Sequence, residues 1–419
     1  MPGMKSEGPA AIRPRVMLVI TQDTKQAEAQ FLRSVLEGAG VVVVHLDPSV
    51  RADMGGAEIG PEAVAQAAGT TIAAIRALGH EGHIHEQMIR GSLGAAHAYI
   101  AHTPIHGVLC VGGSMGTALA GALCQSLPYG LPKLIVSTMA SGFTAPYMGV
   151  KDIAMMNAVT DIAGLNTISR DVFRNAALAV AGMAQGYDPA PAAARPLVLM
   201  TTLGTTETCT RRIREALEAD GCEVMVFHSS GAGGATLDAI AAERSPALVL
   251  DLSVTEIMDR LHGGIAAGAP TRGQAGMSQG VPTIWAPGNA DFIIAGPIEV
   301  AQVQFPGKRY HKHNPQLTAV RTQLPELEAL ANHLATITAQ AKGPVSLFVP
   351  LHGFSSHDSP SGHIHDPSLP APFADHARAV MPANMAFHTV DAHFNDAPFA
   401  DAIIAEARHM LAQHHLQSA

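Results

Sequence analysis

The chain has 419 residues, of which 47% are hydrophobic and 15% charged, and its formal net charge is −9 at pH 7. A chain of this size can bury a large core and is long enough for two domains. The acidic balance and the lack of any Lys/Arg cluster in the sequence argue against binding to nucleic acid.

Cysteine usage and the start of the chain bear on the cellular compartment. The four cysteines lie far apart without a Cys-x-x-Cys pair, which argues against a zinc knuckle and favours reduced thiols in a cytoplasmic protein. Residues 1–14 are polar and lack the apolar core of a signal peptide, so we predict a flexible arm. No run is long enough to span a bilayer, which predicts a protein with no membrane segment.

Strands and helices alternate from residue 15 onward. The pattern predicts a strand over 16–20, a helix over 26–39 and a second strand over 41–46. Helical stretches over 61–78 and 81–101 follow. The next elements are a strand ending at residue 111, a helix ending at residue 126 and a strand over Lys133–Ser137. This alternation predicts an α/β fold with parallel sheets in a three-layer αβα arrangement.

A Pro-rich segment divides the chain. Residues 185–196 carry three prolines and no apolar periodicity, which predicts a linker between an N-terminal lobe, 15–184, and a C-terminal lobe, 197–419. The sequence after this linker echoes the beginning, with one offset aligning Thr21 with Thr202 and a smaller offset aligning Gly130 with Gly280. Duplication and the general likeness of strand–helix–strand units both explain the match, and both predict two Rossmann-like lobes.

Two loops each follow an apolar strand and lead into a helix. A helix start presents unpaired N–H groups and the positive end of the peptide dipoles, and glycine lets the backbone approach a phosphate closely. We predict an anion site at the carboxyl ends of the strands, facing a cleft between the lobes. Its residues are Thr21, Asp23, Thr24 and Lys25 in the first loop, and Gly112, Gly113, Ser114, Met115, Gly116 and Thr117 in the second.

The glycine loop matches neither a Walker motif nor the Gly-x-Gly-x-x-Gly spacing, so standard phosphoryl-transfer machinery is not indicated. The alternative is a tight turn that needs glycine for steric reasons. A hydroxyl-rich segment after the strand Lys133–Ser137 adds Thr138 and Ser141 as phosphate donors and Asp152 as a partner for a ribose hydroxyl or a magnesium-bound water. A plain surface connection is the alternative for this segment.

The second lobe has three comparable strand-end loops, residues 202–207, 228–234 and 251–256, which predict a second pocket. Acids, bases and cations in this lobe suit a carboxylate or phosphate substrate, and each also has a structural alternative. The candidate catalytic residues are His228, Asp251, Glu256, Arg272, His313 and Arg321.

The chain has 22 histidines, but their spacing does not fix a metal site. On a helix, His80 and His83 share a face and His85 lies well round from it. His363, His365 and Asp366 lie in a Ser/Pro/Gly-rich loop whose geometry the sequence leaves open. We therefore predict no bound metal.

Several segments resemble the tomato tobamovirus-resistance protein family and its bacterial relatives, which are described as ATP-binding and are mostly uncharacterised. The resemblance covers nearly the whole chain, through residues 111–119, 131–142, 161–166, 313–315, 321–322 and 394–400. It implies two Rossmann-like lobes, ATP binding by the N-terminal lobe, and homodimers. We predict ATP, accompanied by Mg²⁺, as the cofactor. The family's Asp-Thr-Lys and Gly-Gly-Ser loops correspond to residues 23–25 and 112–114. The chain departs from the family at Gln22, at Gln26 and in the histidine-rich residues 361–365.

Three functions follow as hypotheses. The first is an ATP-binding protein, with an unidentified reaction and small-molecule substrate. The second is a regulatory or scaffold dimer that nucleotide only stabilises. The third is a metal-assisted enzyme that acts on a small oxygenated acid.

Overall fold

Parallel β-sheets organise both halves of the chain. The computed structural model describes residues 13–188 and 195–418, with side chains as far as Gln413. The chain divides into two compact units between residues 191 and 192, inside the predicted linker. Residues 1–12 of the predicted arm and 189–194 of the predicted linker lie outside the described residues.

The N-terminal unit has one five-stranded parallel sheet with strand order β2-β1-β3-β4-β5. Its elements are β1 (Arg15–Val19), α1 (Gln22–Gly38), β2 (Val42–Leu46), α2 (Pro61–Ala67), α3 (Ile72–Arg76), α4 (Glu81–His102), β3 (Gly107–Gly112), α5 (Ser114–Gln125), β4 (Lys133–Ser137), α6 (Ala145–Met148), β5 (Ala154–Asn157) and α7 (Thr167–Gly186).

The side chains of β1 show why helices cover both faces of this sheet. Successive residues of a strand point to opposite faces. Met17 and Val19 join one buried cluster, which includes side chains of α4 and α5. Val16 and Leu18 join a second buried cluster with side chains of α1 and α7. The predicted three-layer arrangement is therefore confirmed for this unit.

The C-terminal unit has a six-stranded parallel sheet with strand order β14-β13-β9-β8-β6-β7. Buried clusters lie on both of its faces. The parallel-sheet elements and their helices are β6 (Leu197–Thr202), α8 (Glu207–Ala219), β7 (Glu223–His228), α9 (Gly233–Arg244), β8 (Leu248–Ser253), α10 (Thr255–His262), α11 (Ala275–Ser278), β9 (Thr283–Gly288), α12 (Ile298–Gln304), α13 (Leu324–Thr338), β13 (Val345–Pro350), α14 (Pro370–Val380), β14 (Met385–Val390) and α15 (Ala397–Ser418).

A small antiparallel sheet, β10-β12-β11, completes this unit. Its strands are β10 (Phe292–Ala295), β11 (Tyr310–Lys312) and β12 (Thr318–Arg321). The sequence pattern did not indicate this sheet. Strands of three or four residues carry too little alternation to be distinguished from loops, and their pairing depends on tertiary contacts.

Two predicted helix boundaries differ from the structure for local reasons. The predicted helix over 61–78 is two helices, because Gly69 has φ +80° and Thr71 caps a new helix by accepting a hydrogen bond from the Ala74 N–H at 3.2 Å. Helix α1 begins at Gln22, four residues earlier than predicted, with non-helical dihedrals at Lys25. Among the helices of the described ranges, none combines the length and apolarity that a bilayer crossing requires.

Candidate functional site

The two loops predicted for phosphate binding lie side by side in the N-terminal unit. Strand β1 pairs in parallel with β3, and Val19 is in register with Cys110. Neighbouring strands are about 4.8 Å apart, so the loops that follow them start next to each other. Because β2 and β3 flank β1, the strand order reverses between β1 and β3. That position is where doubly wound sheets form a ligand crevice.

The start of α5 presents free backbone donors at this crevice. Ser114, Met115 and Gly116 are exposed in the first turn, and no hydrogen bond from their amides is found within the described ranges. Thr117 has a different role from the predicted one. Its buried hydroxyl lies 2.7 Å from the Gly113 carbonyl oxygen and 2.5 Å from the Ser137 hydroxyl, so it ties the loop to β4.

The start of α1 is already capped from within the chain. The Gln22 amide donates to the Asp47 carboxylate at 3.0 Å and to the Ser49 hydroxyl at 2.8 Å. The Asp23 amide donates to the same hydroxyl at 3.0 Å, and the Asp23 carboxylate accepts from the amides of Val50 and Arg51. These groups occupy the place predicted for an anion at this helix.

A lysine remains as the cation of the first loop. The half-buried Lys25 ammonium donates to the Thr24 hydroxyl at 3.3 Å, and that hydroxyl lies 3.2 Å from the Thr21 hydroxyl. No carboxylate pairs with Lys25 in the described part of the chain, so its charge is available to an anion.

The residues predicted after β4 separate into two places. Thr138 lies beside the glycine loop, with its hydroxyl oxygen 3.9 Å from where a Cβ on Gly113 would stand. Ser141 is exposed further along the same segment. Asp152 lies at the amino-terminal end of β4, away from the carboxyl ends of the strands, because it forms an ion pair with Lys133, the first residue of β4, at 2.8 Å. It does not join the other predicted residues.

A glycine substitution tests the loop geometry. A Cβ on Gly112 would stand 2.7 Å from the Gly116 Cα, whereas one on Gly113 meets only Thr138 at 3.9 Å. We expect Gly112→Ala to destabilise the N-terminal unit by about 1–3 kcal/mol, because backbone must move to make room, and Gly113→Ala to have little effect. Hydrogen exchange of β3 amides measures the difference, and equal exchange rates in the two variants would contradict it.

Three of the predicted catalytic residues form a closed ion-pair cluster in the C-terminal unit. Arg272 contacts the Asp251 carboxylate through both terminal nitrogens, at 2.5 and 2.8 Å, and the Glu256 carboxylate through Nε at 2.7 Å. All three side chains are at most 1% exposed. The carboxylates raise the pKa of Arg272 against the effect of burial. The cluster is saturated and sealed from solvent, which indicates a structural role.

A second buried polar cluster lies after β9. Asp291 accepts a hydrogen bond from the Ser355 hydroxyl at 2.7 Å, and Arg321 lies 3.2 Å from the Asp358 carboxylate. Burial, with the Asp358 charge adding to it, raises the pKa of Asp291 to about 7. Arg321, a predicted catalytic residue, is thus a partner in an enclosed network. His228 lies elsewhere, exposed at the end of edge strand β7.

The structure brings together three histidines, of which the sequence had pointed only to His313. His311 lies in β11, His313 follows it, and His357 lies in a short turn, Ser356–Asp358, after β13. One ring nitrogen of each lies within 4.8 Å of the others. His363 stacks on His311 with ring centroids 4.2 Å apart and planes at 4°. The His311-x-His313 spacing at the end of β11 was the available sequence signal, because alternate residues of an extended segment share a face.

Burial and neighbouring imidazoles lower the pKa of two of these rings, His357 and His311. Burial, followed by the His311, His313 and His363 rings, lowers the pKa of His357 to about 4. Burial likewise lowers the pKa of His311, helped by His363 and His313. By contrast, His80 is used as a helix cap, since its ring nitrogen accepts from the Gly82 amide at 3.2 Å.

Strand order and helix layers in both halves define a protein of two Rossmann-like α/β units. The chain belongs to the UPF0261 family. The description "Uncharacterised protein family (UPF0261) N-terminal domain" applies to residues 14–189, and the corresponding C-terminal domain description applies to residues 195–411.

Relatives in bacteria and in tomato match along most of this chain. A UPF0261 protein of Clostridium tetani is 34% identical over 349 residues, which is 82% of this chain and 86% of that protein. A UPF0261 protein of Brucella suis is 32% identical over 390 residues, 91% of this chain and 92% of that protein. The ToMV resistance protein Tm-1(GCR237) of Solanum lycopersicum is 31% identical over 300 residues, 69% of this chain and 40% of that protein.

Proposed function

We propose that the N-terminal unit binds ATP, with Mg²⁺ carried on its phosphates, in the crevice between the loops after β1 and β3. The exposed amides of Ser114, Met115 and Gly116 carry this proposal, because they point the positive end of α5 toward that crevice. The family resemblance supports ATP as the nucleotide, and we expect the protein to form homodimers as that resemblance implies.

The surroundings of these amides suit a phosphate chain. Gly113, the N-cap of α5, leaves the backbone accessible, and Thr138 adds a hydroxyl next to it. Lys25 supplies a half-buried positive charge from the neighbouring loop. Because the α1 amides are already used by Asp47 and Ser49, we assign the phosphates to the α5 start, the Thr138 hydroxyl and the Lys25 ammonium.

Calorimetric titration of the full chain with ATP and Mg²⁺ tests the proposal. We expect Lys25→Ala to weaken binding roughly ten- to a hundredfold, since a hydrogen bond to a charged group is worth about 1.5–3 kcal/mol. Gly113→Val should weaken it at least as much, because its side chain occupies the approach to the amides. Lys342→Ala, which removes an exposed lysine of the C-terminal unit, is the matched control and should bind like wild type.

The possible outcomes distinguish whether the protein binds ATP from where it binds it. Wild-type protein that gives no binding heat with ATP would refute nucleotide binding. Binding that is unchanged in both Lys25→Ala and Gly113→Val would instead refute the assignment to these loops.

A regulatory or scaffold role is the second candidate, and one observation favours it. The two carboxylates predicted for this site are committed elsewhere: Asp23 accepts from two amides and Asp152 pairs with Lys133. Neither is free to act as a general base. An ATP-dependent rise in melting temperature without ATP turnover supports this role. Release of phosphate or ADP by the wild type, lost in Lys25→Ala, supports an enzyme.

A further inference from the structure

We propose that His311, His313 and His357 bind one divalent transition-metal ion in the C-terminal unit. This site lies outside the proposed nucleotide site and does not depend on it. It also differs from our sequence-based prediction of no bound metal, which considered other histidines of the chain.

The geometry requires only a small contraction. The three ring nitrogens lie within 4.8 Å of one another, whereas a tetrahedral Zn²⁺ with Zn–N bonds of about 2.0–2.1 Å needs its nitrogens ~3.4 Å apart. His313 is exposed, and His311 and His357 are half-buried, so rotation of these side chains can supply the difference.

Within the described residues, the ring nitrogens of these three histidines have no hydrogen-bond partner. Across residues 13–188 and 195–413, no hydrogen bond engages a ring nitrogen of His311, His313 or His357. Two other histidines of the unit do have partners: His365 Nδ1 lies 2.8 Å from the Asp358 carbonyl oxygen, and His393 Nε2 lies 2.9 Å from the Ser355 carbonyl oxygen. The cluster thus gathers unused ligand atoms at one place.

An apolar cluster packs against the three-histidine cluster. The Phe292 ring meets the His357 ring edge-on at 5.7 Å, and Phe292 packs with Ala319 and Ile364 in a buried apolar cluster. Ala319 is the register partner of His311, and Ile364 donates its amide to the His357 carbonyl oxygen at 3.2 Å. These contacts fix the backbone of β11 and of the turn that carries His357. They also provide the apolar surroundings that metal sites use.

The ligand set selects the class of ion. Three imidazoles suit Zn²⁺, Co²⁺, Ni²⁺ or Cu²⁺, whereas Mg²⁺ and Ca²⁺ prefer oxygen ligands. Three protein ligands leave a fourth position of a tetrahedral ion for water or an oxygen-bearing ligand, the pattern of catalytic rather than structural zinc sites.

Cobalt titration of the full chain, produced without a histidine tag and stripped of metal, tests the site. We expect one Co²⁺ per chain with the intense visible absorption of four-coordinate cobalt, and no competition from Mg²⁺. His311→Asn and His357→Asn should each weaken binding roughly a hundredfold or more, because each removes a ligand. His83→Asn is the matched control, since His83 is exposed and its ring lies 4.8 Å from another histidine.

His313→Asn keeps the test decisive if the half-buried substitutions disturb folding, because His313 is exposed. It should lose the cobalt absorption while wild-type folding, measured by thermal unfolding in the presence of a chelator, is retained. Absence of saturable binding to wild type would overturn the proposal. So would binding that survives all three substitutions, which would indicate scattered surface histidines.

Discussion

Replacing Arg272 with Met is expected to lower the free energy of unfolding of the C-terminal unit by about 3–5 kcal/mol. The substitution leaves the carboxylates of Asp251 and Glu256 without their cation while both remain fully buried. An uncompensated charge in the interior is far more costly than the pair itself was stabilising. Gly234 is packed so tightly on this cluster that a Cβ there would stand 1.7 Å from the Arg272 Nε.

A natural reporter and a natural control make this measurement specific. The one tryptophan of the chain, Trp285, is buried in β9 of the same unit, so its fluorescence in a urea titration follows that unit. Arg212→Met removes another bidentate ion pair, in which Arg212 donates to the two Asp401 carboxylate oxygens at 2.8 and 3.0 Å. Both of these side chains are about half exposed. Its effect should be small because solvent screens the pair. Equal effects of the two substitutions would contradict a structural role for the buried cluster.

The second large effect concerns pH and Asp259. Burial raises the pKa of this carboxyl from 3.8 to about 7, and the nearby Glu256 charge adds to the shift, against hydrogen bonds from the Ile294 and Ala266 amides. A raised folded-state pKa means that the native protein holds the proton more tightly than the unfolded chain. The Asp259 carboxyl therefore lowers the free energy of unfolding of wild type progressively as pH rises from about 4 to about 7, and by a constant amount above that range.

Comparing Asp259→Asn with wild type isolates this cost, because asparagine does not titrate. The free energy of unfolding of the variant minus that of wild type should increase by on the order of 2–4 kcal/mol between pH 4 and pH 8, since a shift of about three units corresponds to roughly 4 kcal/mol. The hydrogen bond that asparagine cannot accept adds a penalty that does not change with pH. Urea titrations read by Trp285 fluorescence provide the values.

Asp401→Asn is the control with the opposite sign. The hydrogen bond from Arg212 lowers the pKa of Asp401, so wild type gains stability as pH rises through the ordinary carboxyl range. The variant should lose stability relative to wild type over that range, by a small amount because the pair is exposed. A flat difference between pH 4 and pH 8 for Asp259→Asn would contradict the raised pKa.

The sequence predicted the elements on which the N-terminal site depends. Apolar runs that alternate with amphipathic helices identified β1, β3 and β4, and the range predicted for β4 matches the structure. Both loops predicted for phosphate binding were singled out because they follow apolar strands at glycine or hydroxyl residues. Their position at neighbouring strand ends followed from the parallel sheet. These conclusions rest on local patterns, which the chain carries within a few residues.

The roles of individual polar residues could not be predicted in the same way. Thr117 and Asp23 belong to the predicted loops, yet their side chains bind the protein itself. Arg272 and Asp251 have the residue types of an active site, and burial makes them a structural pair. Whether a polar group is free or already satisfied depends on partners far along the chain, because a buried group must find a hydrogen bond wherever the fold provides one.

The sequence by itself therefore determined two parallel-sheet α/β units and the strand ends at which the two predicted loops lie. Apolar periodicity is a local property, and it decides which face of each element is buried. Only the tertiary structure decided which chemistry each place holds. In the folded chain, Asp47 accepts a hydrogen bond from the first amide of α1, whereas the first amides of α5 have no side-chain cap. The fold also places His311 and His357 close together, although they lie in separate segments. Contacts between residues so far apart in the sequence are set by the packing of whole helices and strands. No short stretch of sequence specifies them.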